Sequence, residues 1–578
     1  MPFHAFMLDI SMISYIIALP LLLFVIQHFI AKPFAILTIK IYSFIIAAIY
    51  LLITAAEINL YAEWLTKIDY RAIVYLNQPS EVFQTATYAQ TLLFFVYIIV
   101  TMILFIKYYN YAVFSKVEFH EATLIPKAVK STVWLVFGGL LITIGIRGGI
   151  QQIPINQSWA YYSNNNAINL ASVNSLWNLL GSIYQNAETL NKNAYITMAM
   201  DSAKSKVNLL LKVEKDTTIH FLTNHKPNIV FLILESFSAD LIQSCGGDTG
   251  LTPQIEKLIS EGYLFDNIYS SGTLSHQGIA SIFSGFPAQP STSIIKEQAK
   301  FSKLPSLNKR LIKLGYNTSF YYGGQLTYAN IKSYMYFNQF HKIKDIDDYD
   351  SNIPRGKLGI HDQYTLTDHI NELNQKAAPF FSGLFTVSTH SPYDIPMKWK
   401  INKGGDERDF LNAAWYSDSC IGAYISECKK QAWYKNTLFV LIADHSKHTH
   451  YDRNYFEPKN RHIPLLFFGD VLNTSFKGKT NHMMGAQNDL VCTLLKQLNQ
   501  DAAEFEWSKN LMNPYAQAYA YCALTSGFGW ATPGQFLVYN YQNNNNDWNT
   551  CKNQASTDSL NEIGKAYLQV LFQEYLDY

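Results

Sequence analysis

The sequence predicts a bundle of membrane-spanning helices followed by an α/β domain with a mainly parallel sheet. Four long apolar segments precede residue 150, and strand-like and helix-like segments alternate from residue 227. Two of the strand-like segments, 228–234 and 438–443, are continuous apolar runs. Such runs are typical of strands that helices cover on both faces. At 578 residues, the chain is long enough for two or more domains.

The four apolar segments are predicted transmembrane helices at residues 13–30, 35–56, 85–106 and 131–150. A helix needs about 20 residues to cross the hydrocarbon core, and the segments approach or reach that length. Only 15% of the chain is charged, and a soluble bundle of these segments would have no polar outer face. We therefore expect residues 1–150 to be integral to a membrane and to cross it several times.

Basic residues in short loops predict the orientation of this bundle. Loops rich in Lys and Arg remain in the cytoplasm, and the third loop carries Lys107, Lys116, Lys127 and Lys130. The part after residue 150 should then lie on the outer side of the membrane, together with the N-terminus. An N-terminus outside without a leader leads to the hypothesis that a further transmembrane helix precedes residue 1.

The rest of the chain is predicted to form one exported domain behind a linker. Residues 151–225 are the linker, in which 171–183 is either an interfacial helix or a plain linker helix. Residues 226–500 alternate strands and helices, as an α/β domain does. Residues 501–578 should complete the domain with strands at 515–524 and 535–541 and a closing helix at 559–574.

Charge and cysteine content exclude some classes of function. The net charge of +1 gives no reason to expect a nucleic-acid partner. The six cysteines show no CxxC spacing, which argues against a zinc ribbon. Cys420 and Cys428 are a candidate disulfide.

An acidic residue follows each continuous apolar run: Glu235 follows the first, and Asp444 and then His445 follow the second. In parallel sheets the working residues lie just beyond the carboxyl ends of the strands. An unpaired carboxylate is costly there, and a cation removes that cost. Carboxylates with one imidazole suit Mn²⁺ or Mg²⁺, and Zn²⁺ is compatible. We expect one divalent ion, although a helix cap or a surface position explains either acid alone equally well.

Thr273 is the predicted nucleophile. It follows Gly272 and opens a predicted helix, where backbone N–H groups can hold an anion. A dication would lower the pKa of its hydroxyl enough to give an alkoxide near neutral pH. Taken from the sequence pattern alone, an ordinary N-cap is the more common role for a threonine at such a place.

Residues 227–470 resemble the alkaline phosphatase/sulfatase superfamily and, within it, the lipoteichoic acid synthase-like phosphoglycerol transferases. The resemblance rests on seven short stretches in order: 228–237, 271–290, 321–324, 359–362, 388–393, 443–445 and 462–464. It implies an alkaline phosphatase/sulfatase-like fold. It also implies a protein of the bacterial inner membrane with its catalytic domain on the outer, periplasmic side.

The resemblance also implies roles for individual residues. The metal ligands would be Glu235, Thr273, Asp444 and His445, with Thr273 as the nucleophile. His390 would be catalytic, close to the phosphate or the leaving oxygen. The expected substrate-binding residues are His390, His462, His361 and Gly324. A backbone carbonyl is an equally good partner for His361.

The predicted reaction moves a phosphoglycerol-type head group from a membrane glycerophospholipid to a glycan or lipid acceptor. A formylglycine sulfatase is disfavoured, because Thr273 does not lie in a Cys/Ser-x-Pro-x-Arg context. The enzymatic alternatives are a phosphoethanolamine transferase, a phosphodiesterase or a sulfatase-like hydrolase.

A non-catalytic lipid-binding scaffold is the alternative from another class. It is motivated by departures from the pattern of nearer relatives, which often have a basic residue soon after the threonine, an aspartate after the Gly-Gly pair and a glycine after Asp-His. The departing residues are Leu274, Gln277, Gln325 and Ser446. Three histidines could replace lost cations but are expected to be solvated loop residues: His276, His448 and His450.

Overall fold

The computed structural model describes residues 2–26, 32–64, 66–70, 72, 88–112, 126–186 and 192–578. The chain divides into two compact units, Met1–Leu190 and Asn191–Tyr578.

Unit 1 contains four helices that are long and apolar enough to cross a membrane: α1 (Pro2–Ile26), α2 (Lys32–Trp64), α3 (Tyr88–Ala112) and α4 (Lys127–Arg147). Each predicted segment overlaps one of these helices. Residues 27–30 and 85–87 of the predicted segments lie outside the described residues, as does most of the lysine-bearing third loop. Helices α1 and α4 approach closely, and the Ser11 hydroxyl donates to the Ile146 carbonyl at 2.8 Å. Small residues at such contacts are typical of membrane helices.

Among the described residues of unit 1, two shorter α-helices follow α4: α5 (Asn166–Ala171) and α6 (Ser175–Asn186). Helix α6 overlaps the predicted linker helix 171–183. Its residues Leu176 and Leu179 are buried in a cluster with Met12 of α1 and Ile53 of α2. The apolar side of α6 therefore packs largely on protein.

Unit 2 contains a nine-stranded mixed sheet in the order β4-β3-β5-β1-β6-β7-β2-β8, with β9 also paired to β2. All pairs are parallel except those that β7 forms with β6 and β2. The strands are β1 (Asn228–Leu234), β2 (Tyr263–Tyr269), β3 (Asn317–Tyr322), β4 (Lys342–Lys344), β5 (Phe380–Phe385), β6 (Thr437–Ala443), β7 (His462–Phe468), β8 (Lys479–Asn481) and β9 (Gly485–Ala486). The central strands β1 and β6 are buried over their whole length, as their apolar sequences predict.

Unit 2 also contains ten α-helices. They are α7 (Met200–Leu211), α8 (Pro253–Glu261), α9 (Ser275–Ser284), α10 (Gln298–Phe301), α11 (Leu307–Lys313), α12 (Ile331–Phe337), α13 (Asp362–Leu373), α14 (Arg408–Cys428), α15 (Asp489–Gln497) and α16 (Gln554–Asp577). All six cysteines are free, including Cys420 and Cys428, which both lie on α14.

The C-terminal part of unit 2 forms a four-stranded antiparallel sheet, β10 (Ala520–Leu524), β11 (Gly527–Thr532), β12 (Gln535–Asn540) and β13 (Asn545–Asn549). Sequence patterns predicted β10, β12 and α16 but not β11 or β13. Residues 543–546 are four consecutive asparagines, which is not a strand pattern. Instead Asn544 adopts a positive φ of 53° and the chain turns back into β13. A turn at polar residues, and not a run of apolar residues, brings this strand into position beside β12.

Candidate active site

The two predicted acids are brought together by the pairing of β1 with β6. The strands run parallel and in register up to Leu234 opposite Ala443. Glu235 and Asp444 are the next residues, so they leave the same edge of the sheet side by side. The Asp444 N–H donates to the Leu234 carbonyl at 3.1 Å, which extends the pairing by one residue. Their side chains are only 1% and 0% exposed, respectively.

His445 completes a three-residue cluster with these acids, whose ligand atoms all lie within 4.8 Å of one another. Its Nε2 atom is 3.9 Å from Glu235 Oε1 and 3.5 Å from Asp444 Oδ2. Its Nδ1 atom is 3.1 Å from the Ser446 carbonyl oxygen, to which an Nδ1–H would donate. In that tautomer the lone pair of Nε2 is free to face the carboxylates.

The charges in this cluster do not balance without a cation. Burial, together with the neighbouring Asp444 carboxylate, raises the pKa of Glu235 to about 8. Burial disfavours the charged form of His445, but the Asp444 and Glu235 carboxylates outweigh it and raise the His445 pKa. Asp444 Oδ1 accepts from the backbone N–H groups of Ser236 and His445, both at 2.7 Å. Buried Oδ2 has no hydrogen-bond donor among the described residues. This donor set fits a divalent cation.

Ser275 is the first residue of α9 and reaches this cluster. Its Oγ atom is 3.5 Å from Glu235 Oε2 and also 3.5 Å from His445 Nε2. The half-buried hydroxyl therefore lies at a helix N-terminus and next to the candidate metal ligands. This combination favours an ionised oxygen, because the N-terminal N–H groups of a helix stabilise negative charge.

A second hydroxyl, that of Ser236, also lies at the cluster. It donates to Glu235 Oε1 at 2.7 Å and is 3.5 Å from His445 Nε2. Ser236 has a positive φ of 54°, which is an unfavourable backbone conformation for a serine. The turn after β1 therefore holds Ser236 against the carboxylates instead of continuing the strand.

Thr273 lies two residues before α9, so the predicted N-cap role for Thr273 is wrong. The cap is Leu274, which makes no side-chain cap bond. Thr273 is half-buried, and its backbone N–H donates to Gln277 Oε1 at 3.0 Å. In the part of the chain that the structure describes, the side-chain hydroxyls that hydrogen-bond with the cluster are those of Ser236 and Ser275, and not that of Thr273.

His390 is exposed near the cluster. Its Nδ1 atom is 2.7 Å from the Ser391 carbonyl oxygen, which leaves Nε2 available to solvent or substrate. It is close enough to His445 that a charge on His390 would lower the pKa of His445.

The other predicted substrate-binding residues have contacts within the protein. His462 begins β7, and its Nε2 atom is 2.8 Å from the Asp266 carbonyl oxygen. His361 precedes α13 and is buried, and that burial lowers its pKa although Asp394 and Asp362 oppose the shift. A Cβ atom on Gly324 would lie 2.6 Å from the ring of Tyr322, so glycine is needed there for packing.

Two of the three histidines that were expected to be solvated are not. His276 is 2% exposed, because it lies in the buried first turn of α9. His450 is 3.0 Å from the Asp248 carboxylate, because the loop that follows Asp444 folds against the loop that contains Asp240 and Asp248. His448 is exposed as predicted.

Several supporting residues were missed by sequence reasoning. Gln487 donates from Nε2 to the carbonyl oxygens of Ala443 and Asp444, both at 2.6 Å. Thr386 accepts from the Glu235 N–H at 3.0 Å, and Thr389 donates to the Glu235 carbonyl at 2.6 Å. These contacts fix the two strand ends. They depend on distant segments, and no local pattern marks them.

Comparison with known proteins agrees with this architecture. The family model described as Sulfatase matches residues 227–500. Lipoteichoic acid synthase 1 of Bacillus subtilis is 25% identical over 323 residues, which cover 50% of this chain and 49% of that protein. Lipoteichoic acid synthase of Staphylococcus aureus is 24% identical over 339 residues, 54% of this chain and 52% of that protein. The chain thus spans about half the length of these curated relatives.

Two solved structures share the fold of unit 2. A protein in the alkaline phosphatase superfamily from Vibrio parahaemolyticus has a TM-score of 0.58 and 25% identity, covering 66% of this chain and 97% of that chain. The lipoteichoic acid synthase LtaP from Listeria monocytogenes has a TM-score of 0.54 and 17% identity, covering 65% and 98%, and shows the likeness of fold alone. Residues 227–500 thus match the Sulfatase family model, and unit 2 shares the fold of a protein in the alkaline phosphatase superfamily.

Proposed function

We propose that this protein is a metal-dependent phosphotransferase that moves a phosphoglycerol-type head group from a membrane glycerophospholipid to an envelope glycan or lipid. The observation that carries the proposal is the convergence of Glu235, Asp444 and His445 beside the Ser275 hydroxyl. Similarity to two lipoteichoic acid synthases supports the reaction class. Four apolar helices would hold the domain at a bilayer, on its outer side, where a lipid donor is available.

We propose Ser275 as the nucleophile, whereas the prediction from the sequence was Thr273. Its hydroxyl is 3.5 Å from both Glu235 and His445, and it begins a helix that offers unpaired N–H groups. Thr273 carries the same chemical group two residues earlier and is the alternative nucleophile. The matched variants Ser275→Ala and Thr273→Val can distinguish these two candidate nucleophiles.

Glu235, Asp444 and His445 would hold one divalent cation. Two carboxylates and one imidazole suit Mn²⁺ or Mg²⁺, and Zn²⁺ is compatible. When bound, such an ion lowers the pKa of a neighbouring hydroxyl and offsets charge on phosphate oxygens. The buried Asp444 Oδ2, which lacks a donor among the described residues, supports this assignment.

In the proposed reaction, Ser275 would form and break the bonds to phosphorus, and His390 would transfer the protons. The ionised Ser275 oxygen, which has lost its proton to solvent, would form a bond to phosphorus, and the bond from phosphorus to the diacylglycerol oxygen would break. His390 Nε2 hands a proton to that leaving oxygen, because its Nδ1 is engaged with the Ser391 carbonyl. In the second half, the acceptor hydroxyl gives its proton back to His390 and takes the phosphoglycerol group from Ser275. Positioning and electrostatic stabilisation supply most of the acceleration.

Intact-mass analysis of the full-length protein after incubation with phosphatidylglycerol vesicles and Mn²⁺ tests this function. We expect a glycerophosphate adduct on the peptide that contains Ser275. Ser275→Ala should abolish the adduct and turnover, whereas Thr273→Val should retain both. An adduct on Thr273, or full turnover by Ser275→Ala, would assign the nucleophile to the other hydroxyl. Vesicles of phosphatidylethanolamine, run in parallel, distinguish the two head groups.

A further inference from the structure

The edge of the sheet that holds the candidate active site also carries the exposed apolar residues of the surrounding region. Between residues 220 and 510, all of which the structure describes, four large apolar or aromatic side chains are exposed: Leu274, Tyr328, Trp399 and Tyr455. They follow β2, β3, β5 and β6, respectively. These strands all run in one direction, since β7 is antiparallel to both β2 and β6 and the other pairs are parallel. All four side chains therefore lie beyond the carboxyl ends of strands, as Glu235 and Asp444 do.

Two of these residues lie directly beside the candidate nucleophiles. Leu274 is 44% exposed and stands between Thr273 and Ser275 in the chain, so it adjoins both hydroxyl residues. The ring of Tyr328 is 6.4 Å from the ring of His276, the residue after Ser275. An exposed apolar surface therefore borders the site at the start of α9.

Trp399 lies in a loop that the buried side chain of Asn412 holds in place. Asn412 Oδ1 accepts from the backbone N–H groups of Lys400 and Ile401, at 2.7 and 2.9 Å, respectively. Its Nδ2 donates to the Ile401 carbonyl at 2.8 Å. The Arg408 guanidinium stacks on the ring of Trp399, with Cζ 3.8 Å from the ring centre, yet the tryptophan remains 50% exposed. The loop thus presents this side chain to solvent in a fixed position instead of packing it in the core.

The charge of this loop indicates the kind of surface that it contacts. Between residues 395 and 402 the only charged side chains are those of Lys398 and Lys400, which flank Trp399. Both are exposed and form no ion pair among the described residues, whereas the next lysine, Lys403, has an acidic partner. Aromatic side chains beside lysines are typical of protein surfaces that contact the head groups of anionic lipids. An anionic bilayer offers contacts to the indole and to both ammonium groups.

We propose that these loops bind the surface of an anionic glycerophospholipid bilayer, so that the donor lipid reaches the active site directly from the leaflet. The lipid-binding surface consists of the exposed residues Leu274, Tyr328, Lys398, Trp399, Lys400 and Tyr455. The inference rests on the proposed function for the identity of the donor, but contact with a bilayer does not require turnover. Each of the two lysines should contribute about 5-fold to bilayer affinity. Loss of the indole should weaken binding by about 10-fold or more, because its apolar area would return to water.

Trypsin cleavage of the full-length protein tests the proposal. Cleavage after Lys398 and Lys400 is followed by mass spectrometry in nanodiscs of phosphatidylglycerol, in nanodiscs of phosphatidylcholine and in neutral detergent. We expect cleavage in phosphatidylglycerol to be about 10-fold slower than in detergent, with phosphatidylcholine in between. Cleavage after Lys435 is the internal control, because this exposed lysine precedes β6 and so lies at the opposite edge of the sheet. Trp399→Ser should remove most of the protection, whereas Ile219→Ser, which removes an exposed side chain before β1, should not.

Turnover gives the second readout, because the effect of Trp399→Ser should depend on the substrate. We expect a loss of about 10-fold with phosphatidylglycerol in vesicles and a much smaller loss with soluble bis-p-nitrophenyl phosphate. Equal cleavage rates in all three environments, or in the two lipids, would overturn the proposal. So would protection that persists in detergent and rises with protein concentration, because a second copy of the chain would then cover the surface. If the native protein turns over neither substrate, the proposed function fails, while the trypsin experiment still decides whether the surface binds lipid.

Discussion

A Cβ atom placed on Gly278 would lie only 1.9 Å from the backbone carbonyl oxygen of Asp444. Helix α9 thus touches the end of β6 backbone to backbone, at a distance that only glycine permits. Ser275 precedes Gly278 by three residues, almost one helical turn, and so lies on the same side of α9. This single contact explains how a serine on a helix comes within reach of acids on two strands.

Gly278→Ala should therefore reduce turnover by about 100-fold or more, because α9 must move and a displacement of about 1 Å at a reacting group has an effect of this size. Overpacking should also lower the free energy of unfolding by about 1–3 kcal/mol. Gly181→Ala is a matched control, since Gly181 is also helical and a Cβ there meets nothing within 4 Å. Steady-state turnover and chemical unfolding measure the two effects. Normal activity in Gly278→Ala would show that the contact does not position Ser275.

The sequence pattern predicted that Glu235 and Asp444 come together, and the structure places them side by side, whereas Thr273 and Ser275 both stay candidates for the nucleophile. Glu235 and Asp444 interrupt continuous apolar runs, and register-matched parallel pairing then brings them together with no further information. Thr273 and Ser275 are two hydroxyl residues at the start of one helix. Which of them faces the cluster depends on the residue at which α9 begins, and helix boundaries are the weakest part of any sequence-based prediction.

The strands and histidines that sequence reasoning missed share a physical cause. β13 is a polar strand that exists because it pairs with β12, and β11 lies between two strands that patterns did predict. His276 and His450 were expected in solvent, but distant segments bury the first and pair the second. Tertiary contacts decide these features, whereas the apolar spans and central strands are decided locally.

Removal of the cation should destabilise unit 2. A divalent ion that binds only the folded state adds about 2.7 kcal/mol at a concentration 100 times its Kd. Without it, the buried Glu235 and Asp444 carboxylates repel each other. We expect a chelator to lower the unfolding temperature of the full-length protein and re-added Mn²⁺ to restore it.

Asp444→Asn serves as the comparison for the chelator experiment. It removes one of the two adjacent charges and a proposed metal ligand, so the chelator should hardly change its unfolding temperature. Elemental analysis of both purified proteins reports the bound metal. Equal chelator sensitivity in both would mean that the stabilising ion binds elsewhere.

Acid should destabilise unit 2 through His369, which is 0% exposed. Its ring nitrogens are already engaged, Nε2 with the Ser382 hydroxyl at 2.7 Å and Nδ1 with the Tyr424 hydroxyl at 2.9 Å. Burial lowers its pKa from 6.5 to about 3. In the unfolded chain the imidazole takes up a proton below about pH 6.5, whereas the folded protein cannot until about pH 3. The stability that the neutral ring contributes is therefore complete above the unfolded pKa and falls as the pH drops.

The loss from His369 should reach about 2 kcal/mol at pH 5, since each pH unit below 6.5 is worth about 1.4 kcal/mol. His369→Gln is expected to be less stable than the native protein at pH 7. Between pH 7 and pH 5, however, its free energy of unfolding should fall by about 2 kcal/mol less than that of the native protein. Urea unfolding followed by near-ultraviolet circular dichroism measures both slopes. The prediction fails if the free energy of unfolding depends on pH in the same way in both proteins.

The buried ion pair between Lys509 and Asp489 gives the largest stability effect that we predict. Lys509 Nζ donates to Asp489 Oδ2 at 2.6 Å and to the Tyr519 carbonyl at 2.8 Å. Lys509→Met would leave the Asp489 carboxylate buried without its cation, which typically costs about 3–5 kcal/mol. The Ala486 and Lys509 backbone N–H groups still donate to that carboxylate, so we expect the lower end of this range.

A double-mutant cycle separates the pair from its surroundings. Lys509→Met combined with Asp489→Asn should be less destabilised than the sum of the single variants, because the second change removes the unpaired charge. Lys430→Met is the matched control. Lys430 pairs with Glu427 on the surface, where both side chains are more than half exposed, and its loss should change the free energy of unfolding by less than about 1 kcal/mol. Similar losses for Lys430→Met and Lys509→Met would show that burial does not set the strength of the inner pair.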